Sequence, residues 1–322
     1  MSERTCSAGS LARPFSAHSQ TVSRRQPALR SAWRLEKRRL ARRHKHPFRL
    51  GNDVPVKIHQ IHNVLPAGSH HLIVYQTADT VEQPAPFDCQ PFADTLDASK
   101  GSPVMITQKA EDVLTLPDGV AFTFPPGVMV RLEMHYLNST GMPLDISATS
   151  TFITMPEADF TDEASFLFVG NPDISIAPMS SAVLGPTFMQ LPANLHGVSF
   201  FGITGHTHQW GTNVTVAAAD AEAGPDVSVY DVPNWKWSEP ETVYHDPPFQ
   251  IPDGGGFRFT CEWDNQSASQ VGFGESANQE MCFFWAYYYP SQGAFVCGHT
   301  DQVAGGIDVC CPGSPFCAYF FN

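Results

Sequence analysis

The sequence predicts an all-β protein made of two antiparallel, jelly-roll-like β-sandwich domains. Three observations carry that expectation. Glycine (24) and proline (27) are abundant in the 322 residues while charged residues make up only 16%, the composition of many short strands joined by tight turns. Runs rich in β-branched and aromatic residues recur from residue 53 onward, each closed by Gly, Pro or Asn. A helical period is absent outside a basic amino-terminal segment. At 42% hydrophobic residues, the chain is long enough to bury two cores of ordinary size.

The amino-terminal segment, residues 1–47, is set apart by charge. Residues 1–50 hold 13 of the 19 Lys and Arg against Glu3 and Glu36, a balance of +11 that leaves −24 on the rest. Such an Arg-rich stretch resembles a nucleic-acid arm or a targeting presequence, but neither fits an acidic body. No nucleic-acid partner is expected. The segment reads as disordered or misassigned, with little apolar surface to bury.

In the first domain, residues 48–160, the strand-like runs are "VPVKIHQIHNV", "HHLIVYQ", "VAFTF" and "VMVRLEMHYL", with "PAGS" and "PPG" as turns. An acidic, Pro-containing stretch, "TMPEADFTDEA", interrupts the rhythm near residue 160. The second domain, residues 161–322, resumes it in "GVSFFGITGHTH", "NVTVAA", "GFRFTCEWDN" and "MCFFWAYYYP". No apolar run is long enough to span a membrane.

Of the eight cysteines, Cys297, Cys310, Cys311 and Cys317 crowd the carboxy-terminal end together with Cys282, while Cys6, Cys89 and Cys261 lie earlier. Without paired CxxC knuckles this favours disulfides over a zinc site, and hence a secreted, periplasmic or secretory-lumen protein. Sequons stand at Asn138, Asn213 and Asn265.

Four stretches carry the chemistry. In "GITGHTHQWG" His206 and His208 are one residue apart, so on a strand they share a face and can grip one ion; the bland reading is two polar residues on a solvated face. "HH" at His70 and His71 opens a strand, and both can reach one ion only if the strand begins irregularly or bulges; otherwise one is buried and one exposed. His135 in "VMVRLEMHYL" shares a face with Arg131 and Glu133, away from the apolar stripe, which leaves a ligand or a solvated ring. Met281 in "EMCFFWAYYYP" shares a face with Phe283, Trp285 and Tyr287, where core packing is the default for a lone methionine. In company the four read differently. Two imidazoles with a thioether suit soft Cu(I), and three imidazoles also suit copper.

These stretches, "HH" at 70, "LEMHYLN" at 132–138, "HTHQWG" at 206–211 and "EMCFFWAYYYP" at 280–290, resemble in order and spacing the four signatures of the copper type II, ascorbate-dependent monooxygenases. The resemblance implies two sandwich domains holding two copper ions per chain. His70, His71 and His135 would hold an electron-transfer copper, and His206, His208 and Met281 the copper where oxygen is activated. The implied reaction inserts one oxygen atom from O2 into an aliphatic C–H bond of a small-molecule substrate, with ascorbate or a similar reductant as electron donor. It also implies a Cys261–Cys282 disulfide worth about 3 kcal/mol in the chain-entropy model. Cys297 is left to pair with Cys310, Cys311 or Cys317.

The chain departs from the peptide-amidating branch at Thr204, Phe283 and Trp285, which makes a glycine-extended peptide a poor substrate. An aromatic wall of Phe283, Trp285 and Tyr287 would suit an apolar or aromatic molecule, or an amine through cation–π contact. The basic segment also stands where the family places additional strands, which implies an exposed sheet edge in the first domain. Two other readings compete: a copper-binding relative defective in redox chemistry, and a cupin-like jelly roll using HxH alone, whose usual glutamate is missing because the next acids are Asp220 and Glu222. His59, His62, His196, His245 and His299 are read as structural or solvated.

Overall fold

The computed structural model describes residues 28–37, 42–66, 69–83, 86–88, 101–136, 144–274, 276, 278–312, 314 and 317. It divides into two compact units, the first running to Glu163 and the second starting at Ala164. Cys89 and the sequon at Asn138 lie outside the described residues.

The first unit comprises β1 (Ala28–Lys37), β2 (Arg42–Arg49), β3 (Val56–Val64), β4 (Ser69–Thr77), β5 (Phe87–Asp88), β6 (Gly101–Thr107), β7 (Glu111–Thr115), β8 (Val120–Phe124), β9 (Met129–Tyr136), β10 (Leu144–Met155) and β11 (Asp162–Glu163). One sheet has the order β1-β10-β3-β8-β11, with β7 also on β3, and the other β5-β2-β9-β4-β6. Ile58, Ile61, Phe122, Phe124 and Phe152 from the first sheet are buried, as are Leu72, Val74, Met105, Leu132 and Met134 from the second. Asn63 of β3 donates to Thr107 Oγ1 of β6 at 2.8 Å, so the Leu72 and Val74 face of the second sheet is the one turned toward the first.

Here the basic segment departs from expectation. Residues 28–37 and 42–49 are strands, not disordered chain: β1 pairs along its whole length with β10, and β2 lies between β5 and β9. The reason is local pattern. Leu29, Trp33 and Leu35 alternate with Arg30, Arg34 and Glu36, the period of a half-buried strand, which a charge count over fifty residues averages away. β10 and β9 are therefore not bare on the sides where β1 and β2 pair with them.

The second unit comprises β12 (Ser165–Gly170), β13 (Ser175–Ile176), β14 (Ser180–Gln190), β15 (Ser199–His206), β16 (Gly211–Ala219), β17 (Asp226–Asp231), β18 (Thr242–Phe249), β19 (Gly256–Asn265), β20 (Val271–Gly272), β21 (Phe283–Tyr289), β22 (Phe295–Thr300) and β23 (Ile307–Cys311). A six-stranded sheet, β18-β15-β21-β12-β22-β23, packs on a four-stranded one, β14-β19-β16-β17. Alternation sorts the side chains. Leu167, Val169, Phe200, Ile203, Phe284, Ala286 and Tyr288 point into the core against Val214, Val216, Phe257, Phe259 and Trp263 of the facing sheet. Asn265 is part of this fabric: it is buried and donates to Ala177 O and Ser269 O, both at 2.9 Å.

Three disulfides close the second unit. Cys261–Cys282 joins β19 of one sheet to the residue before β21 of the other, so it staples the two layers. Cys297–Cys310 links in-register neighbours on β22 and β23, and Cys311 pairs with Cys317. This settles the open partners of Cys297 and fits an oxidising compartment.

Candidate metal centres

In the second unit, β15 ends at His206, so His208 lies just past the strand and not on it. A turn closed by Gly211 N–H donating to His208 O at 3.0 Å folds the segment back into β16. The two rings meet nearly edge-on, centroids 5.2 Å apart and planes at 87°. Both are buried. The flanking glycines are needed for this approach: a Cβ on Gly205 would sit 2.8 Å from Tyr230 and Val214, and one on Gly211 would overlap the Thr207 side chain.

Register brings the stretch of chain just before β21 alongside this pair. His206 lies opposite Phe283, the first residue of β21, two residues after the fully buried Met281. The residues just before Met281 bind His208 directly. Gln279 O accepts from His208 Nδ1 at 3.0 Å. A carbonyl only accepts, so Nδ1 carries the proton and the neutral ring keeps its lone pair on Nε2, the arrangement a metal-ligating histidine uses.

Glu280 is 0% exposed. Its Oε2 accepts from His208 N–H at 2.8 Å and Trp263 Nε1–H at 2.9 Å, and its Oε1 from Trp210 N–H at 2.7 Å. Burial pushes its carboxyl up to about 7, and the N–H groups of His208, Trp210, Trp263 and Met281 hold it from going higher. On the other side of Met281, Cys282 is fixed by its bridge to Cys261. Sequence reasoning assigned Glu280 no role; the available signal was an acid directly preceding the uncharged run from Met281 to Tyr289.

The face of the six-stranded sheet turned away from its core carries His206, Thr204, Phe166, Phe168, Phe201, Phe283, Trp285 and Tyr287. All are buried. Trp285 lies opposite Thr204 and Phe168, with its ring 6.1 Å from His206. Its Nε1–H is buried without a hydrogen-bond acceptor. The Thr204 hydroxyl is engaged with that of Thr242 at 2.7 Å.

In the first unit, His71 of β4 and His135 of β9 are direct cross-strand partners. Their ring centroids are 5.0 Å apart and both rings are buried. The register slips between Ser69 and His71, making His70 the inserted residue of a bulge; its side chain lies outside the described residues. His71 and His135 share the sheet face turned away from the core with Tyr75, Arg131 and Glu133. That face is buried, contrary to a solvated reading of His135. Tyr75 donates to Glu133 Oε2 at 3.2 Å, and Arg131 to Thr77 Oγ1 at 3.1 Å.

Among the described residues, no three His, Cys, Asp or Glu side chains gather into a group that could hold a metal. Both expected sets reach three ligands only with a thioether or with His70. The donors nevertheless fit copper: paired buried imidazoles in each unit, and in the second a ring whose tautomer presents Nε2. The remaining histidines have other partners. His59 and His245 bond Val120 O and Val229 O, while His62, His196 and His299 face Glu111, Asp253 and the Asp301–Asp308 pair.

Residues 169–304 match the copper type II ascorbate-dependent monooxygenase, C-terminal domain. The matched residues make up most of the second unit, which is similar to that domain. The match spans β15, the HxH turn, the Cys261–Cys282 staple and Met281. No curated protein matches the chain. Among solved structures, the glycosylasparaginase PNGase F from Flavobacterium meningosepticum is 11% identical, covering 87% of this chain and 99% of its own at a TM-score of 0.33. The plant peptide RALF23 in complex with FER and LLG2 contains a chain 8% identical, covering 88% and 95% at a TM-score of 0.22. Neither likeness is close enough to carry an argument.

Proposed function

We propose that the protein is a copper-dependent monooxygenase that hydroxylates an aliphatic C–H bond of a small substrate. R–H, O2, two electrons and two protons give R–OH and water, the electrons coming from ascorbate or a reductant like it. Bound copper would supply oxygen activation and one-electron transfer. The observation that carries the reading is the hydrogen bonding of His208 by Gln279 and Glu280, next to Met281, within the segment that matches the family.

In this reading His206, His208 and Met281 hold one copper and His70, His71 and His135 a second. Gln279 fixes the His208 tautomer. The thioether favours the reduced ion. Phe283, Trp285 and Tyr287 present ring faces to an apolar or aromatic substrate, or to an amine, and a substrate oxygen or nitrogen would satisfy the Trp285 N–H. The disulfides suit work outside the cytosol.

Copper-reconstituted protein given ascorbate should consume O2 when an aromatic amine or apolar substrate is added, and His208→Ala should abolish that uptake. Turnover surviving in His208→Ala overturns the ligand assignment. One copper per chain without substrate-dependent uptake points instead to a copper-binding relative.

A further inference from the structure

We propose that Glu280 is the positioning residue that couples the Met281 thioether to the His206–His208 pair, an inference resting on the copper reading above. The carboxylate of Glu280, the residue directly before Met281, ties that approach to β21 to two other stretches of chain: the turn after β15 through the His208 and Trp210 N–H groups, and β19 through the Trp263 indole. The two oxygens of a carboxylate offer about four lone-pair sites. Three N–H donors take up three of them.

This geometry sets the order of substitutions. Glutamine matches glutamate in shape but has one acceptor oxygen and turns an NH2 against backbone N–H groups, so it loses about half the acceptors and adds a clash of donors. Aspartate keeps every acceptor on a stem one methylene shorter. Glutamine should therefore harm the centre more than aspartate, the reverse of an order set by size alone. A purely structural glutamate would lower the melting temperature and leave the ligand set of the folded protein unchanged. A positioning glutamate changes the ligand set itself.

The test uses the full chain loaded with Cu(I), read by chelator competition for affinity and by X-ray absorption for a sulfur scatterer, with Met281→Leu as the reference lacking the thioether. Wild type should show copper–sulfur scattering. Glu280→Gln should lose it, with affinity falling about tenfold or more toward the Met281→Leu value while imidazole scattering remains; Glu280→Asp should lie between. Sulfur scattering and affinity retained in Glu280→Gln overturn the inference alone. Wild type without a sulfur scatterer overturns the ligand assignment as well. If Glu280→Gln does not fold, Glu280→Asp decides, and wild-type affinity in that variant rejects the proposal.

Discussion

Removing the Cys261–Cys282 bridge tests whether the staple acts on the site as well as on the fold. The bridge closes 21 residues and Cys297–Cys310 closes 13. In the chain-entropy model each contributes about 3 kcal/mol, and the two differ by only about 0.4 kcal/mol. Cys261→Ala/Cys282→Ala and Cys297→Ala/Cys310→Ala should then lower stability alike, each by about 6–12 °C in melting temperature for a unit of this size. Their effects on the site should differ. Only the first bridge holds the residue next to Met281 to the opposite sheet, whereas the second joins strands already paired along β22 and β23. Cu(I) affinity should fall toward the Met281→Leu value in the first double variant and stay at wild type in the second. Urea melts of the two proteins, followed by chelator competition on the folded forms, measure both quantities. Equal loss of Cu(I) affinity in the two would refute the claim that the staple positions Met281, and an unchanged urea midpoint in the first would refute the entropy argument.

Gly211→Ala should destabilise the second unit by about 1–3 kcal/mol, because the added methyl overlaps Thr207 between the two histidines; an unchanged melting temperature contradicts this. For His299, burial pulls the ring's pKa down, but the hydrogen bond and charge of Asp308, and then of Asp301, outweigh it and leave it raised above 6.5. A raised histidine contributes stability that is fully present below its unfolded value and is lost as pH rises through the folded one. His299→Gln should therefore lose more stability relative to wild type near about pH 5.5 than near about pH 8.5, read from urea midpoints; equal losses count against the ion pair.

Much of the fold was legible because period-two alternation survives in each strand. Phe284, Ala286 and Tyr288 against Phe283, Trp285 and Tyr287 assign the two faces of β21 without coordinates, and both faces prove buried. Where the sequence misled, a window was too wide. The charge of residues 1–50 concealed two strands. The sequon at Asn265 suggests a surface site, yet its side chain donates to Ala177 O and Ser269 O in the interior. A sequon specifies three residues, and burial depends on what folds over them.

Of the histidine pairs, His206 and His208 were marked by their one-residue spacing, although His208 lies past the end of β15, whereas His71 and His135 were grouped by the resemblance and meet through a cross-strand register visible only in the structure. Glu280 was not. Two of its three donors are the backbone N–H groups of His208 and Trp210, and every non-proline residue carries such a group, so no residue type marks these partners. Only Trp263, in another strand, contributes a side chain. A carboxylate that binds backbone constrains where the chain runs and leaves its neighbours' identities free. Pairing patterns in a sequence therefore find side chains that meet one another more readily than a carboxylate held by backbone groups.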